Sequence, residues 1–322
     1  MKKIITLLLI LALSAAMLCS CKKKTEPVDT EQEIEETTTY KFGYSCISMK
    51  NPFFFDIESN LRQGLEAQNH ELITKDAQDD AALQIEQIKE LIAEEVDAVF
   101  LIPVDWIEIT PALDLLNEAG IPIINLDARV QEVQKIDAYI GSDHTRAGTQ
   151  CGEDLLTRIP EGGEIVIVEC PNRTSINDRI KGFEKAIAKK GFEVVARIDA
   201  KGKVDRAAVE VEKVLAAHPD VVAIMCGSDP MAIGSLVAAK TLLAEDLVIY
   251  GVDGSPEVKK EIAREHSLIV ATVAQSTKQI ANEAVKVGLL MLDGENFERN
   301  TYLDTCLITK ENVQDYDIDE WQ

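Results

Sequence analysis

The stretch DDAALQIEQIKELIAEEVDAVFLIPVD, residues 79–105, contains the unit from which the fold is predicted. In its first part, apolar residues such as Ile85, Ile88 and Ile92 recur at intervals of three and four, which is the period of an amphipathic helix. Its second part, DAVFLIPVD, is a short continuous apolar run, typical of a strand buried on both faces. A helix followed by such a strand predicts an α/β protein with helices on both faces of a parallel sheet.

The same alternation of strands and amphipathic helices extends from residue 40 onward. The other predicted strands are YKFGYSCIS, ELITKDA, IPIINLDA and DAYIGSD in the first half, and EIVIVEC, FEVVARIDA, VVAIMCGS, LVIYGVDGS and LIVATVAQ in the second. The pattern divides near Ser142-Asp143, which predicts two doubly wound lobes. The final helix QIANEAVKVGLLMLDGE and strand YLDTCLIT are compatible with either lobe, so the sequence allows more than one crossing between lobes.

Length and composition bound the class of protein. A chain of 322 residues suits two domains. Hydrophobic residues make up 46% of the chain and charged residues 28%, as in ordinary globular proteins. The formal net charge of −23 repels phosphate backbones and argues against nucleic acid as a partner.

The N-terminus, MKKIITLLLILALSAAMLCSC, predicts a secretory signal peptide over residues 1–20, because its apolar run is too short to span a membrane. Its end resembles a bacterial lipobox, which predicts that Cys21 is lipidated and anchors the protein outside the cytoplasm, at the bacterial cell membrane. An ordinary secreted protein cut nearby is the alternative. Residues 21–39 are predicted to form a flexible acidic tether.

The sequence predicts neither an enzyme nor a metal or cofactor site. The cysteines beyond the leader are widely spaced and indicate small buried side chains rather than metal ligands or disulfides; they are Cys46, Cys151, Cys170, Cys226 and Cys306. The four histidines are scattered, and no HExxH, CxxC, GxSxG, GxGxxG or GxxxxGK[ST] motif occurs. Asp127 and Asp253 are a conceivable glycosidase pair, but their position on different lobes favours binding over catalysis.

Polar side chains follow the ends of several predicted strands, where open parallel sheets bind ligands. The candidates are Asn51, Phe53, Phe54, Trp106, Asp127, Arg129, Arg179, Ser228, Asp253 and Gln275. An Asp that precedes a helix is more often an N-cap, and we expect that role for Asp229. Ser255 and Pro256 can begin the helix after Asp253, which leaves the Asp253 carboxylate for the cleft. Taken alone, Trp106 favours plain packing, and a surface ion pair is the alternative for Arg179.

This set of side chains suits a neutral sugar or similar polyol. Carboxylates accept hydrogen bonds, arginine donates several and amides do both, which matches hydroxyls that donate and accept. Part of the phenylalanine triplet is assigned to the apolar face of a sugar ring, whereas Phe55 is expected to face inward and contribute to stability.

The chain resembles the type I periplasmic sugar-binding proteins of ABC transporters, in particular the ribose-binding group, over residues 40–310. The motifs are NPFF at 51–54, IPIINLD at 121–127, GSDH at 141–144, TSINDRIKGF at 174–183, HPDVVAIMCGSDPMAIG at 218–234, YGVDGSPE at 250–257 and ATVAQ at 271–275. The resemblance implies ligand contacts from Asn51, Phe53, Phe54 and Asp127 in one lobe, and from Arg179, Ser228, Asp253 and Gln275 in the other.

Departures from the family pattern argue against ribose itself. Ile102 stands where the family has asparagine, Ala128 where it has arginine, and Val204 where it has an aromatic residue. Arg129, displaced by one position, and Trp106 are therefore additional candidate ligand contacts.

The resemblance also implies lobes of residues 40–142 plus 276–304 and of 143–275 plus 305–322, joined by a three-segment hinge. The implied function is a monomeric, lipid-anchored binding protein that delivers its ligand to an ABC permease and its ATPase. The alternative is a sugar sensor that presents ligand to a membrane chemoreceptor or sensor kinase. A regulator of the lactose-repressor family is excluded, because a signal peptide and tether occupy the place of its DNA-binding domain.

Overall fold

The computed structural model describes residues 38–322. The predicted signal peptide, the lipidation of Cys21 and nearly all of the predicted tether lie outside the described residues. Within the described part of the chain, none of the helices combines the length and the apolar character that a membrane span requires.

Two six-stranded sheets form the centres of two α/β lobes, which confirms the predicted fold. The strands are β1 (Lys41–Cys46), β2 (Glu71–Asp76), β3 (Ala98–Leu101), β4 (Ile123–Leu126), β5 (Ala138–Ser142), β6 (Gly163–Glu169), β7 (Phe192–Asp199), β8 (Val221–Cys226), β9 (Val248–Asp253), β10 (Ile269–Ala274), β11 (Asn300–Leu303) and β12 (Cys306–Thr309). The first sheet has the order β11-β5-β4-β3-β1-β2 and the second β12-β10-β9-β8-β6-β7. Neighbouring strands are parallel except for β12, which pairs with β10 in the antiparallel sense.

Helices connect the strands and cover both sheets. They are α1 (Pro52–Glu66), α2 (Ala81–Ala93), α3 (Thr110–Ala119), α4 (His144–Arg158), α5 (Thr174–Ile187), α6 (Val204–Ala217), α7 (Asp229–Thr241), α8 (Pro256–Ala263) and α9 (Thr277–Leu292). In the first lobe α1 packs beside α9 and α2 beside α3; in the second lobe α4 packs beside α5 and α6 beside α7. β3 and β4 are buried along their whole length, because helices cover both faces of the sheet at these central strands.

The chain passes between the sheets at three places. It leaves the first sheet after β5, which ends at Ser142, and returns to the first lobe through α9, which follows β10. Strand β11 then pairs with β5 in the first sheet, and β12 pairs with β10 in the second. Residues 304–305 make the third connection.

Helices begin directly after strands, at the carboxyl edges of the sheets. Asn51 accepts a hydrogen bond from the Phe53 amide at the start of α1, and Pro52 occupies the first turn. Ser255 accepts from the Val258 amide at the start of α8, with Pro256 after it. The start of α8 agrees with the sequence prediction, and both helix starts bring polar residues and helix N-termini to one edge of each sheet.

Candidate ligand-binding site

The two lobes contact each other where β4 of the first sheet ends near α5 of the second lobe. Asp127 follows β4, and its Oδ2 accepts a hydrogen bond of 3.3 Å from Ser175 Oγ on α5. Arg179, one turn further along α5, brings Nη2 to 3.7 Å from Asp127 Oδ1. Residues from separate halves of the sequence thus form a shared polar cluster.

Arg179 lies at the centre of this cluster and is only 3% exposed. Its Nη1 donates to the Gly227 carbonyl at 2.8 Å and to Asp253 Oδ1 at 3.1 Å. Its Nε donates to His144 Nδ1 at 3.4 Å. Arg179 is therefore a buried cation between two carboxylates, which excludes the alternative of a surface ion pair.

His144 connects the two lobes as a neutral side chain. Burial and the nearby Arg179 charge lower the pKa of His144 to about 4. Because Nδ1 accepts from Arg179, the proton belongs on Nε2, which lies 3.1 Å from the Asp127 carbonyl and donates to it. This bond ties the start of α4 to the end of β4.

Asp253 ends β9 and is 5% exposed. Its Oδ1 accepts from Arg179 and from Gln275 Nε2 at 2.9 Å, while its Oδ2 accepts from the Asp229 amide at 3.2 Å. Burial raises the pKa of Asp253 to about 7, although the Arg179 charge acts in the opposite direction. Asp253 therefore changes charge near neutral pH.

Both central carboxylates lie on unusual backbone. The φ angle is 52° at Asp127 and 147° at Asp253, in a region that residues with a Cβ rarely adopt. Backbone strain of this kind persists where the surroundings hold it, and it collects at functional sites. Here it directs two carboxylates from opposite lobes toward one arginine.

The raised pKa of Asp253 predicts a pH-dependent stability. The folded-state pKa of Asp253, about 7, lies above the ordinary value of 3.8. The stability that its protonation contributes to the folded state is therefore fully present below pH 3.8 and is lost as the pH rises through 7. An Asp253→Asn variant cannot ionise. Its free energy of unfolding, relative to wild type, should therefore increase by about 2–3 kcal/mol between about pH 5 and about pH 8. Urea denaturation of both proteins at the two pH values measures this change.

Ser228→Ala provides the control, since it changes a neighbouring buried side chain that does not titrate. The free energy of unfolding of Ser228→Ala, relative to wild type, should be the same at both pH values. If the difference in the free energy of unfolding between Asp253→Asn and wild type stayed constant with pH, the assigned protonation of Asp253 would be wrong.

Three predicted site residues carry buried polar atoms without a hydrogen-bond partner among the described residues. These atoms are Asp127 Oδ1, Ser228 Oγ and Gln275 Oε1. Buried polar atoms in native proteins are nearly always hydrogen-bonded, so such a set indicates where additional donors and acceptors fit. Two carbonyl-type acceptors and one hydroxyl match the hydrogen-bonding capacity of alcohol groups.

A cavity of about 540 Å³ lies beside this cluster, between the lobes. Asp253 belongs both to the cavity wall and to the cluster, and the first lobe contributes Asn51 and Phe54 to the wall. The Asn51 Oδ1 caps α1, which leaves its amide N–H groups as the side chain's donors. This volume is in the range of pockets for small molecules.

The cavity wall also carries ion pairs that cross between the lobes. Asp79, after β2, accepts a bond of 3.1 Å from Arg173 Nη2, and its Oδ2 lies 3.3 Å from Lys203 Nζ. All three residues line the cavity. The sequence analysis missed them, although Asp79 follows a strand end and so satisfies the same positional rule as the others. Arg173 and Lys203 precede α5 and α6 and carry no comparable signal.

The phenylalanine triplet divides into three environments. Phe54 is buried and lines the cavity. Phe53 is buried behind it, with its ring in edge-to-face contact with Phe54. Phe55 is 55% exposed, so the expectation that it faces inward is wrong. At a helical rotation of 100° per residue, three successive side chains cannot all face one core.

Asp127, Arg179, Ser228 and Gln275 belong to the polar cluster and not to the cavity wall. Three other assigned residues, Trp106, Arg129 and Asp229, make contacts that the sequence did not predict. Trp106 and Arg129 do not line the cavity: the Trp106 amide donates to the Asn172 carbonyl across the lobes, and Arg129 stacks over the Tyr139 ring at 4.2 Å. Asp229 does not cap α7. Its carboxylate accepts from the Ser255 amide at 2.7 Å and from Thr272 Oγ1 at 2.7 Å, so the expected cap is wrong.

Comparison with known proteins adds independent information. A family model described as a periplasmic binding protein domain matches residues 42–296. The ribose import binding protein of Escherichia coli is 27% identical over 312 residues, covering 97% of this chain and 99% of that protein. The ribose import binding protein of Bacillus subtilis is 26% identical over 302 residues, covering 93% and 96% respectively.

Solved structures agree with these relatives. An ABC transporter solute binding protein from Bacillus halodurans, with bound myo-inositol, superposes with a TM-score of 0.81 at 25% identity. The match covers 88% of this chain and 98% of that one. The similarity thus extends over both lobes and all three connections between them.

Proposed function

This chain belongs to the periplasmic binding protein domain family, and on that premise we propose that it binds a monosaccharide or cyclic polyol between its lobes and delivers it to an ABC importer. The family consists of solute-binding proteins rather than enzymes. Relatives named ribose import binding proteins, and the similar structure with bound myo-inositol, support this class of ligand. The observation that carries the proposal is the set of buried atoms without hydrogen-bond partners on Asp127, Ser228 and Gln275. They belong to the cluster that reaches the interlobe cavity through Asp253.

The chemistry of the site favours a neutral, hydroxylated ligand. Asp127 and Gln275 offer acceptors, Arg179 and the Asn51 amide offer donors, and Ser228 offers both. Phe54 adds an apolar surface to the cavity wall. A ring that bears hydroxyls on its edge and C–H groups on its faces satisfies both kinds of surface.

Closure of the lobes follows from where these groups lie. Asp127 belongs to the first lobe, and Arg179, Asp253 and Gln275 belong to the second, so a ligand that bonds to both sides favours the closed arrangement. The three chain connections near residues 142–143, 275–276 and 304–305 act as the hinge. The pairs from Asp79 to Arg173 and Lys203 add cross-lobe attraction at the cavity wall.

Delivery and anchoring complete the proposal. The sequence features of residues 1–39 support an extracytoplasmic protein held to the bacterial membrane by lipid on Cys21, through an acidic tether. The permease and its ATPase then receive the ligand from the closed form. Calorimetric titration of the purified protein with ribose, allose, galactose, xylitol and myo-inositol tests the ligand class, and binding to none of these sugars and polyols would refute it.

The role of Asp127 in this binding is tested by an Asp127→Ala variant. Loss of a buried charged hydrogen-bond partner costs about 1.5–3 kcal/mol, so affinity for the tightest ligand of the panel should fall at least about tenfold. Asp114→Ala is the matched control, because Asp114 is an exposed carboxylate of the same lobe that pairs with Lys135 at the surface. Wild-type affinity in Asp127→Ala would remove Asp127 from the site.

A further inference from the structure

The C-terminal tail, residues 316–322, returns from the second lobe to the interlobe cavity. It follows β12 and a short 3-10 turn, Val313–Asp315, which packs near α8. Trp321, the second-last residue, lines the cavity. A segment with no regular secondary structure thus reaches the site that the rest of the fold builds.

A buried lysine holds the tail in this position. The Lys259 side chain on α8 is fully buried, and its Nζ donates to the carbonyl oxygens of Asp317 and Glu320. Burial lowers the pKa of Lys259. A buried ammonium group requires such acceptors, so the two carbonyls and the lysine fix each other. Lys260 adds a contact at the surface, with its Nζ 2.7 Å from Asp319 Oδ1.

The tail also contacts the first lobe. The Trp321 ring lies edge-to-face against Phe53 of α1, with 5.6 Å between ring centroids and an interplanar angle of 69°. Phe53 in turn supports Phe54, at a centroid distance of 5.6 Å. Three aromatic rings from two lobes therefore form one continuous group, and two of them, Phe54 and Trp321, belong to the cavity wall.

The other apolar residues that the second lobe contributes to the cavity wall are Val204, Pro230, Ile233 and Pro256, none of which carries an aromatic ring. Among the described residues that line the cavity, Phe54 and Trp321 are the aromatic ones, while α6 contributes Val204 at its first position. Aromatic rings present large, rigid apolar faces, and their contacts depend on ring geometry as well as on area. Trp321 thus adds an aromatic ring from the tail of the second lobe to the cavity wall, in the same aromatic group as Phe54.

We propose that Trp321 is a ligand-contacting and specificity-determining residue, whose ring packs on the C–H face of the bound sugar or cyclic polyol. Lys259 is its positioning residue, since it fixes the tail that carries the ring. This inference rests on the proposed function, because it names a further side of the same binding site. It implies a preference for ring-shaped ligands with an exposed C–H face over acyclic polyols.

The experiment compares Trp321→Ala, Trp321→Phe and Phe55→Ala with wild type in calorimetric titrations. Trp321→Ala should bind the tightest cyclic ligand of the panel at least about tenfold more weakly, whereas Trp321→Phe, which keeps an aromatic ring, should stay within about threefold. Phe55→Ala is the matched control, an exposed aromatic residue of the same aromatic triplet that does not line the cavity, and its affinity should equal that of wild type. Melting curves of each variant report whether the fold is retained.

A change in ligand preference separates direct contact from a purely structural effect. Affinity of Trp321→Ala for a cyclic ligand should fall more than its affinity for the acyclic xylitol; an equal loss for both, or no loss for either, would overturn the inference. If Trp321→Ala does not fold, Trp321→Leu keeps apolar volume without a ring and is judged by the same ratio. Wild-type binding together with an unaffected Trp321→Ala refutes this inference alone, whereas absence of wild-type binding across the panel refutes the proposed function and this inference with it.

Discussion

An Arg179→Ala variant should unfold with about 3–5 kcal/mol less free energy than wild type and should bind its sugar at least about a hundredfold more weakly. The side chain is 3% exposed and its charge lies between two carboxylates, 3.1 Å from Asp253 Oδ1 and 3.7 Å from Asp127 Oδ1. At about pH 8, where Asp253 is ionised in wild type, removing Arg179 leaves two buried carboxylates without their common cation and the Gly227 carbonyl without this donor. The loss is therefore larger than that of a single hydrogen bond.

A double-mutant comparison tests whether the lost stability of Arg179→Ala comes from its carboxylate partners. If the penalty comes from an uncompensated charge on Asp253, then Arg179→Ala in an Asp253→Asn background should cost clearly less than in wild type. Urea denaturation gives both free energies, and calorimetry gives the affinities. Arg146→Ala is the control: this arginine is half exposed and pairs with Glu153 at the surface, so its loss should stay within about 1 kcal/mol. Equal penalties for Arg179→Ala in both backgrounds would contradict the assigned role.

A Gly148→Ala variant should lower the free energy of unfolding by about 3 kcal/mol or more and should also weaken binding. An added Cβ at Gly148 would lie 1.7 Å from the Arg179 carbonyl oxygen. At the same helix crossing, a Cβ at Gly182 would lie 2.0 Å from the Thr145 carbonyl oxygen. The backbones of α4 and α5 touch at this crossing, so an added methyl group separates them and displaces the segment that carries Arg179.

Gly64→Ala tests whether this effect is specific to the crossing. Gly64 also lies inside a helix, α1, but an added Cβ would meet the Val285 side chain at 3.3 Å rather than backbone. A side chain can adjust, and alanine favours the helix over glycine by about 1 kcal/mol, so the net change should be within about 1 kcal/mol. Denaturation curves for the two variants provide the comparison. A Gly148→Ala variant as stable as Gly64→Ala would show that the helices separate without cost.

Much of the architecture was predictable because its signals are local. The continuous apolar run DAVFLIPVD predicts a doubly covered strand, and β3 is buried from end to end. Ser255 and Pro256 predict a helix start, and Ser255 accepts the expected bond from the Val258 amide. The rule that ligand groups follow strand ends also led to Asp127 and Asp253, which the structure brings to the same arginine.

Other features depend on contacts between distant residues. The exposure of Phe55 depends on how α1 is rotated against the sheet, and a triplet of identical residues contains no information about that rotation. Asp229 resembles an N-cap in sequence, yet it bonds to Ser255, which follows β9, and to Thr272 in β10. The tail residue Trp321 has no helical or strand pattern around it, and its place beside Phe53 requires the whole fold.

The amino-acid pattern by itself determined the two α/β lobes and the polar residues at the ends of their strands, because periodicity, capping and strand order act over short distances along the chain. Only the tertiary structure decided which of those residues meet. Arg179 between Asp127 and Asp253, the cross-lobe pairs of Asp79 and the approach of Trp321 to the cavity all join residues far apart in the chain. The packing of helices and sheets sets the distances between these residues. Close packing also restricts each side chain to the conformation in which it contacts its observed partner.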